Sequence, residues 1–354
     1  MRYGLIMDSN KNTIGEGFKW FTEPSGLFVI KIPVEWQYSN VAAGIEESPP
    51  FSFQTYQDPK YAFQISCYTE EQLKPNMKVS NQKSDTNNLK FEEFRLDGKG
   101  FNVHVWGATV DNHSFIAKYI YKTEEQDLKE VKKGLALSID ALKSLQLLSK
   151  KHRKLAFDLD KYEKFMSALG ASFDVKMKAL ERDAFIEVII ITANQIDAYL
   201  RLAIVLSDQL KSKSEHFEVK YFYQGKGDKP ITERQVYKYA FENRIIDKKQ
   251  FDDLEELYKR RNEVVHRYII SELRTREIMH ISYKYELICE KIRLVLREFE
   301  KEQYQKGIGI HGTKHNPHGN ISESTISFYH SQINDKHLLK ELERSIKGDN
   351  KAEK

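Results

Sequence analysis

The chain has 354 residues, enough for two ordinary domains that each bury a core. Hydrophobic residues make up 40% and charged residues 31%, which excludes a disordered chain. The formal net charge of +4 neither demands nor excludes a nucleic-acid partner, because a local basic patch needs no large net charge.

The first residues, Met1 to Asn12, lack the apolar core of a signal peptide. Strand signals come next. Phe28, Ile30 and Ile32 alternate with Val29 and Lys31, and Pro33 ends the run. Tyr61, Phe63, Ile65 and Cys67 repeat the alternation. So do Phe101, Val103 and Val105 against Asn102 and His104, and then Phe115, Ala117, Tyr119 and Tyr121. A period of two predicts a half-buried antiparallel sheet with the apolar set facing in. Pro49-Pro50, Asp58-Pro59 and Asp97-Gly98 read as turns. Trp20, Trp36 and Trp106 are expected in core or edge packing.

The period changes after Thr123-Glu124-Glu125-Gln126, which has the form of a capping box. Leu128, Val131, Leu135, Ile139, Leu142 and Leu145 then recur at three- and four-residue steps, one face of a helix laid across the sheet. The polar run from Ser149 to Arg153 is expected to separate an N-terminal domain (1–150) from a C-terminal one. The segment GLFVIKIPVEW and the closing amphipathic helix make residues 20–148 look like a PsbP-like α/β sandwich. That resemblance implies no catalytic residues, only a protein or ligand partner to be sensed or docked.

Beyond residue 155 the pattern is helical, with helices expected near 158–178, 181–211, 232–243, 248–265 and 274–304. Thr232…Gln235 and Asp247…Gln250 are capping boxes. A short extended piece is expected at Val219–Tyr223. The overall class is therefore α+β: an antiparallel sheet with a packing helix, then an all-α bundle at 151–305 and a polar tail at 306–354. Phe185 to Leu206 is the most apolar stretch, but Glu187, Asn194, Gln195, Asp197 and Arg201 interrupt it. A membrane span is therefore not expected, and the reading is cytoplasmic. Two cysteines in different halves, Cys67 and Cys289, suit neither a disulfide framework nor a zinc site. His311, His315 and His318 lie among glycines and read as polar tail rather than as metal ligands. No cofactor is expected.

The chemistry concentrates at Lys259-Arg260-Arg261-Asn262-Glu263-Val264-Val265-His266-Arg267. An Arg, a polar residue directly after it, and a His shortly beyond, on an apolar-periodic helix and followed by an aromatic, resemble the signature of the HEPN family. The resemblance spans residues 155–300. It implies a compact helical bundle, homodimerisation and metal-independent RNA cleavage. Arg274 and His280 fit the loose Arg…His spacing but lack the Asn, and are set aside.

The residue types suit that chemistry. RNA carries its own nucleophile, the 2′-hydroxyl. His266 can serve as general base or acid near neutral pH. Arg261 can grip phosphate oxygens with two N–H groups. Asn262 can hydrogen-bond the phosphate or orient the imidazole. On one helix Asn262 and His266 share a face, whereas Arg261 and His266 stand about 140° apart. Either the helix ends within the motif, or the site is shared between two chains. Asp197 stands charged in the stripe Ile186, Ile190, Ala193, Leu200 and Ile204. It either orients Arg261 or His266, or pairs locally with Arg201. Lys259, Arg260 and Arg267 either track an RNA backbone or form a solvated face. The expected function is an RNA endonuclease, a toxin or antiviral-defence effector; the alternative is a non-catalytic dimeric adaptor or ligand-binding protein.

Overall fold

The computed structural model describes residues 18–40, 44–45, 48–55, 58–69, 71–72, 89–98, 100–214, 216–225 and 227–312. The N-terminal dozen residues, His315, His318 and the amphipathic stretch at 336–346 lie outside them. The class is α+β, with antiparallel sheets first and helices after. The chain divides into two compact units between Asp160 and Lys161.

Among the described residues the first unit holds two antiparallel sheets. The smaller joins β1 (Phe18–Thr22), β2 (Phe28–Pro33) and β9 (Gln146–Leu147) in that order. The larger contains β3 (Trp36–Tyr38), β4 (Phe51–Thr55), β5 (Tyr61–Thr69), β6 (Glu92–Gly98), β7 (Phe101–Val110) and β8 (His113–Lys122), ordered β3-β4-β5-β8-β7-β6. β7 and β8 pair along their whole length around Asp111-Asn112. Both turn residues have positive φ, the backbone that a two-residue hairpin demands and that Asp and Asn tolerate. Asp97 and Gly98 pair with Asn102 and Phe101 as the end of β6, so the turn falls beyond them.

The inward face of β7 is the opposite of the expected one. Asn102, His104 and Trp106 are buried, whereas Phe101 is exposed and Val103 and Val105 are half-buried. Register explains it. His104 lies opposite Tyr119 and Asn102 opposite Tyr121, and directly opposed residues must share a face. The buried imidazole is accommodated by Glu93 at 2.8 Å and by stacking on Trp106 and Tyr121. β2 is buried on both faces: Phe28, Ile30 and Ile32 face the main core, while Val29 meets Leu148, Ala156 and Trp20. Trp36 and Trp106 are core residues and Trp20 is half-buried.

Helix α1 (Lys129–Lys143) packs on β2 of the smaller sheet and on β5 and β8 of the larger one. Thr123 does not cap it: Thr123–Glu125 is a separate 3-10 turn, tied back to the sheet through Thr123 N–H to Gly100 O at 3.1 Å. The buried face of α1 is Val131, Gly134, Ser138, Ala141 and Leu142, while Leu128 and Ile139 are exposed. Small side chains face the sheet because its tyrosines supply the bulk, and the Tyr119 hydroxyl donates to Val131 O at 2.7 Å.

The polar run expected to separate the domains starts α2 (Lys150–Glu181), a 32-residue helix within which the two units divide. The second unit continues with α3 (Phe185–Ser212), α4 (Glu233–Glu242), α5 (Lys248–Arg267) and α6 (Thr275–Lys306). α3 is the central helix and packs on α4, α5 and α6. By length and composition α3 is apolar enough to cross a membrane, yet 72% of its most apolar window is buried inside the protein. Both capping boxes at Thr232 and Asp247 are formed. Val219–Tyr221 is a 3-10 turn rather than an extended piece. It closes an aromatic cluster in which Phe222 meets Tyr162, Phe165 and Phe217.

Candidate active site on helix α5

Helix α5 carries the whole Arg261-Asn262…His266 motif and continues without interruption to Arg267. Asp247 and Gln250 start it by exchanging hydrogen bonds of 2.7 and 2.9 Å with each other's backbone N–H, and Leu254, Leu257 and Val264 bury its inner face. Arg261 leans toward the bundle. Its Nη1 donates to Glu233 at 2.5 Å and its Nη2 to the Asn262 side-chain oxygen at 3.2 Å. Its guanidinium lies 4.8 Å from the centre of the Tyr258 ring, close enough for a cation–π contact. Burial opposes the charge of Arg261, but the hydrogen bond and negative charge of Glu233 outweigh it and hold its pKa above the ordinary value.

Glu233 is the first residue of α4, placed there by the Thr232–Gln235 capping box. Its second oxygen accepts from Tyr237. Burial, followed by the charge of Glu233, pushes the Tyr237 phenol well up, so it stays a donor. The Tyr285 hydroxyl, also pushed up by burial, donates to Leu257 O at 2.8 Å and ties α6 to α5 one turn before the motif.

Asp197 takes the local option. It accepts from Arg201 Nε at 2.6 Å, and no hydrogen bond joins it to Arg261 or His266 among the described residues. The other residues of its stripe near it, Ala193, Leu200 and Ile204, are core, and the Asp197 side chain itself is only a quarter exposed. Burial raises its pKa despite the attraction of Arg201. Its second oxygen has no hydrogen-bond partner among the described residues. Arg201 in turn donates to Ile231 O at 2.8 Å, just before the N-cap of α4. Asp197 therefore shares no hydrogen bond with Arg261, but it interacts with the Arg261 and Glu233 charges through space and, through Arg201, helps anchor the α4 N-terminus that carries Glu233.

His266 is exposed on the last turn of α5 and makes no hydrogen bond among the described residues. Beyond it Tyr268–Ile270 forms a 3-10 turn. Ile269 is 92% and Ile270 82% exposed, beside the exposed Val265 and Tyr268. Lys259 and Arg267 point to solvent without partners among the described residues, while Arg260 pairs with Glu263 at 2.5 Å. The motif is thus divided: Arg261 is held toward the bundle, while His266, on the face it shares with Asn262, makes no hydrogen bond among the described residues.

The sequence reading missed Glu233, because nothing in spacing links residues 233 and 261. It also set aside Arg274 and His280, which with Arg260 line a cavity of about 530 Å³ between α5 and the start of α6. Cys67 and Cys289 are free thiols, each pushed up to about 12, chiefly by burial.

No protein-family model matches the chain, and no curated protein matches it. A solved structure from Bacteroides thetaiotaomicron VPI-5482 is similar at 12% identity with a TM-score of 0.24, over 55% of this chain and 78% of that one. A likeness at that level carries no argument about function.

Proposed function

We propose that the helical unit is a metal-independent RNA endonuclease of HEPN type whose site is completed by a second copy of the chain. The observation that carries this reading is the unbroken course of α5 to Arg267. Of the two arrangements left open by the motif, it favours the one in which two chains share the site. On a regular helix Arg261 and His266 stand about 140° apart and do not meet on one phosphate. Two helices brought together at their C-terminal turns would pair each exposed His266 with its counterpart. The apolar patch of Val265, Tyr268, Ile269 and Ile270 around it is the kind of surface that association buries.

In such a site His266 takes the proton of the 2′-hydroxyl as its oxygen bonds to phosphorus. The bond to the 5′-oxygen breaks, and that oxygen receives a proton from the second His266. The products are a 2′,3′-cyclic phosphate and a 5′-hydroxyl. Arg261 and Asn262 meet the phosphate, with Arg261 facing it from the chain opposite the acting His266, and the cations Lys259, Arg260 and Arg267 hold the strand. The cellular role fits a cytoplasmic toxin or antiviral-defence effector, with the PsbP-like N-terminal unit taking a protein or ligand partner.

One observation favours the second reading, a non-catalytic dimeric adaptor: Arg261 is already neutralised by Glu233. The two readings separate in one experiment. Purified protein incubated with total RNA in EDTA is expected to give fragments ending in cyclic phosphate. Cleavage that vanishes with chelator and returns with magnesium overturns the mechanism, and no cleavage under any condition leaves the adaptor.

A further inference from the structure

Arg260, Arg274, Arg276, His280 and Lys284 line the cavity of about 530 Å³ between α5 and the first turns of α6, with Glu277 as their one acidic companion. Glu277 is already engaged, because the Arg274 backbone N–H donates to it at 2.9 Å. Arg260 and Lys284 lean on Glu263 and Glu256, at 2.5 and 3.7 Å. Among the described residues, Arg274, Arg276 and His280 have no ion-pair partner, and all three are exposed.

Their position is electrostatically unfavourable in the free protein. The N-terminal end of a helix carries partial positive charge and favours anions, yet α6, a 32-residue helix, gathers arginines there. Forked N–H donors, a helix N-terminus and a concave wall together make a site for a phosphate. The volume lies within the roughly 300–1,000 Å³ of small-ligand sites. The site also adjoins the motif: Arg260 precedes Arg261 and lies about 9 Å along the helix axis from His266.

We infer that this cavity is a phosphate subsite that holds the backbone of a single RNA strand beside the scissile position. The inference rests on the ribonuclease reading for the identity of the strand. It makes Arg274 and Arg276 binding residues, with no part in proton transfer.

The test is binding of a fluorescein-labelled oligouridylate to the full chain carrying His266→Ala, by anisotropy in EDTA across a salt series. Adding Arg274→Ala and Arg276→Ala is expected to weaken binding about tenfold or more. It should also flatten the slope of log affinity against log salt by about 1.4, at roughly 0.7 for each single-strand phosphate no longer neutralised. Lys248→Ala with Lys249→Ala removes equal charge from the other end of α5 and is the control. An affinity loss or slope change no larger than that of the control overturns the subsite, as does a lack of RNA binding. Inorganic phosphate is the second probe. A cavity whose loss abolishes competition by phosphate but leaves RNA affinity unchanged is a free-anion site, which also overturns the proposal. Failure of the ribonuclease reading looks different: the wild-type chain cuts nothing, while the arginine pair still governs RNA affinity.

Discussion

Arg261 has two demands on one side chain. It neutralises Glu233 inside the bundle, and in the proposed site it meets a phosphate. Substitutions separate the two. Arg261→Lys keeps the charge and loses the fork, so RNA cleavage is expected to fall while the melting temperature moves little. Glu233→Gln leaves Arg261, with a side chain only 18% exposed, without the carboxylate it bonds, and is expected to cost about 1–3 kcal/mol of stability. If both variants lose the same stability and Arg261→Lys cuts RNA normally, Arg261 is purely structural. His266→Ala is expected to lower cleavage by about two to four orders of magnitude with the fold unchanged, because the imidazole is exposed and unbonded. Wild-type cleavage by that variant removes His266 from the mechanism. Asp197 supplies a pH test. Burial raises its folded-state pKa above the ordinary 3.8. The folded protein therefore holds that proton more tightly than the unfolded chain. The contribution is fully present below 3.8 and is lost as pH rises through the raised folded value. The stability margin of wild type over Asp197→Asn should narrow with rising pH across that window; a margin that widens contradicts the assignment.

Among the elements, α1 shows how side-chain volume sets a packing distance. A Cβ built on Gly134 would lie 2.5 Å from the Tyr119 hydroxyl oxygen and 2.6 Å from the Tyr61 ring. Gly134→Ala must push the helix off the sheet or turn two buried tyrosines, at an expected cost of about 1–3 kcal/mol. Urea unfolding measures it, and an unchanged midpoint means that the contact is looser than it stands. Most of the expected stripe is buried as read, with Val131, Leu142 and Leu145 in the core and Leu135 packed against it, and the same contact explains the departures. The stripe follows hydrophobicity, but Leu128 and Ile139 are exposed, and the close approach selects Gly134, Ser138 and Ala141. In β7 register takes the place of volume. Its alternation was legible, whereas which set faced inward depended on pairing His104 with Tyr119.

For the whole molecule the decisive quantity is the number of chains in a site. Ile269 and Ile270, nearly bare to water next to His266, give that question a direct probe. Ile269→Glu with Ile270→Glu is expected to convert a dimer into a monomer in sedimentation velocity and to abolish cleavage. The fold should be unaffected, since neither side chain packs in the core. A wild-type monomer at micromolar concentration that still cuts RNA removes the shared site altogether.

The residues alone carried the class and the helical pattern: strand alternation in the first half, the three-and-four spacing afterwards, and the Thr232 and Asp247 capping boxes, each formed as read. Those signals are local, set by backbone periodicity and by hydrogen bonds that span three residues. The motif on α5 was legible for the same reason. Its partners were not. Glu233 meets Arg261 across a helix–helix contact, and Arg274 and Arg276 share a cavity with Arg260 across a chain reversal. Neither pairing leaves a trace in spacing. Asp197 could serve Arg261, His266 or Arg201 as far as the sequence went, and the contact one turn along the same helix gave its hydrogen bond to Arg201. Packing decides such contacts, because a charged side chain in a bundle bonds whatever the neighbouring helix brings within about 3 Å of it.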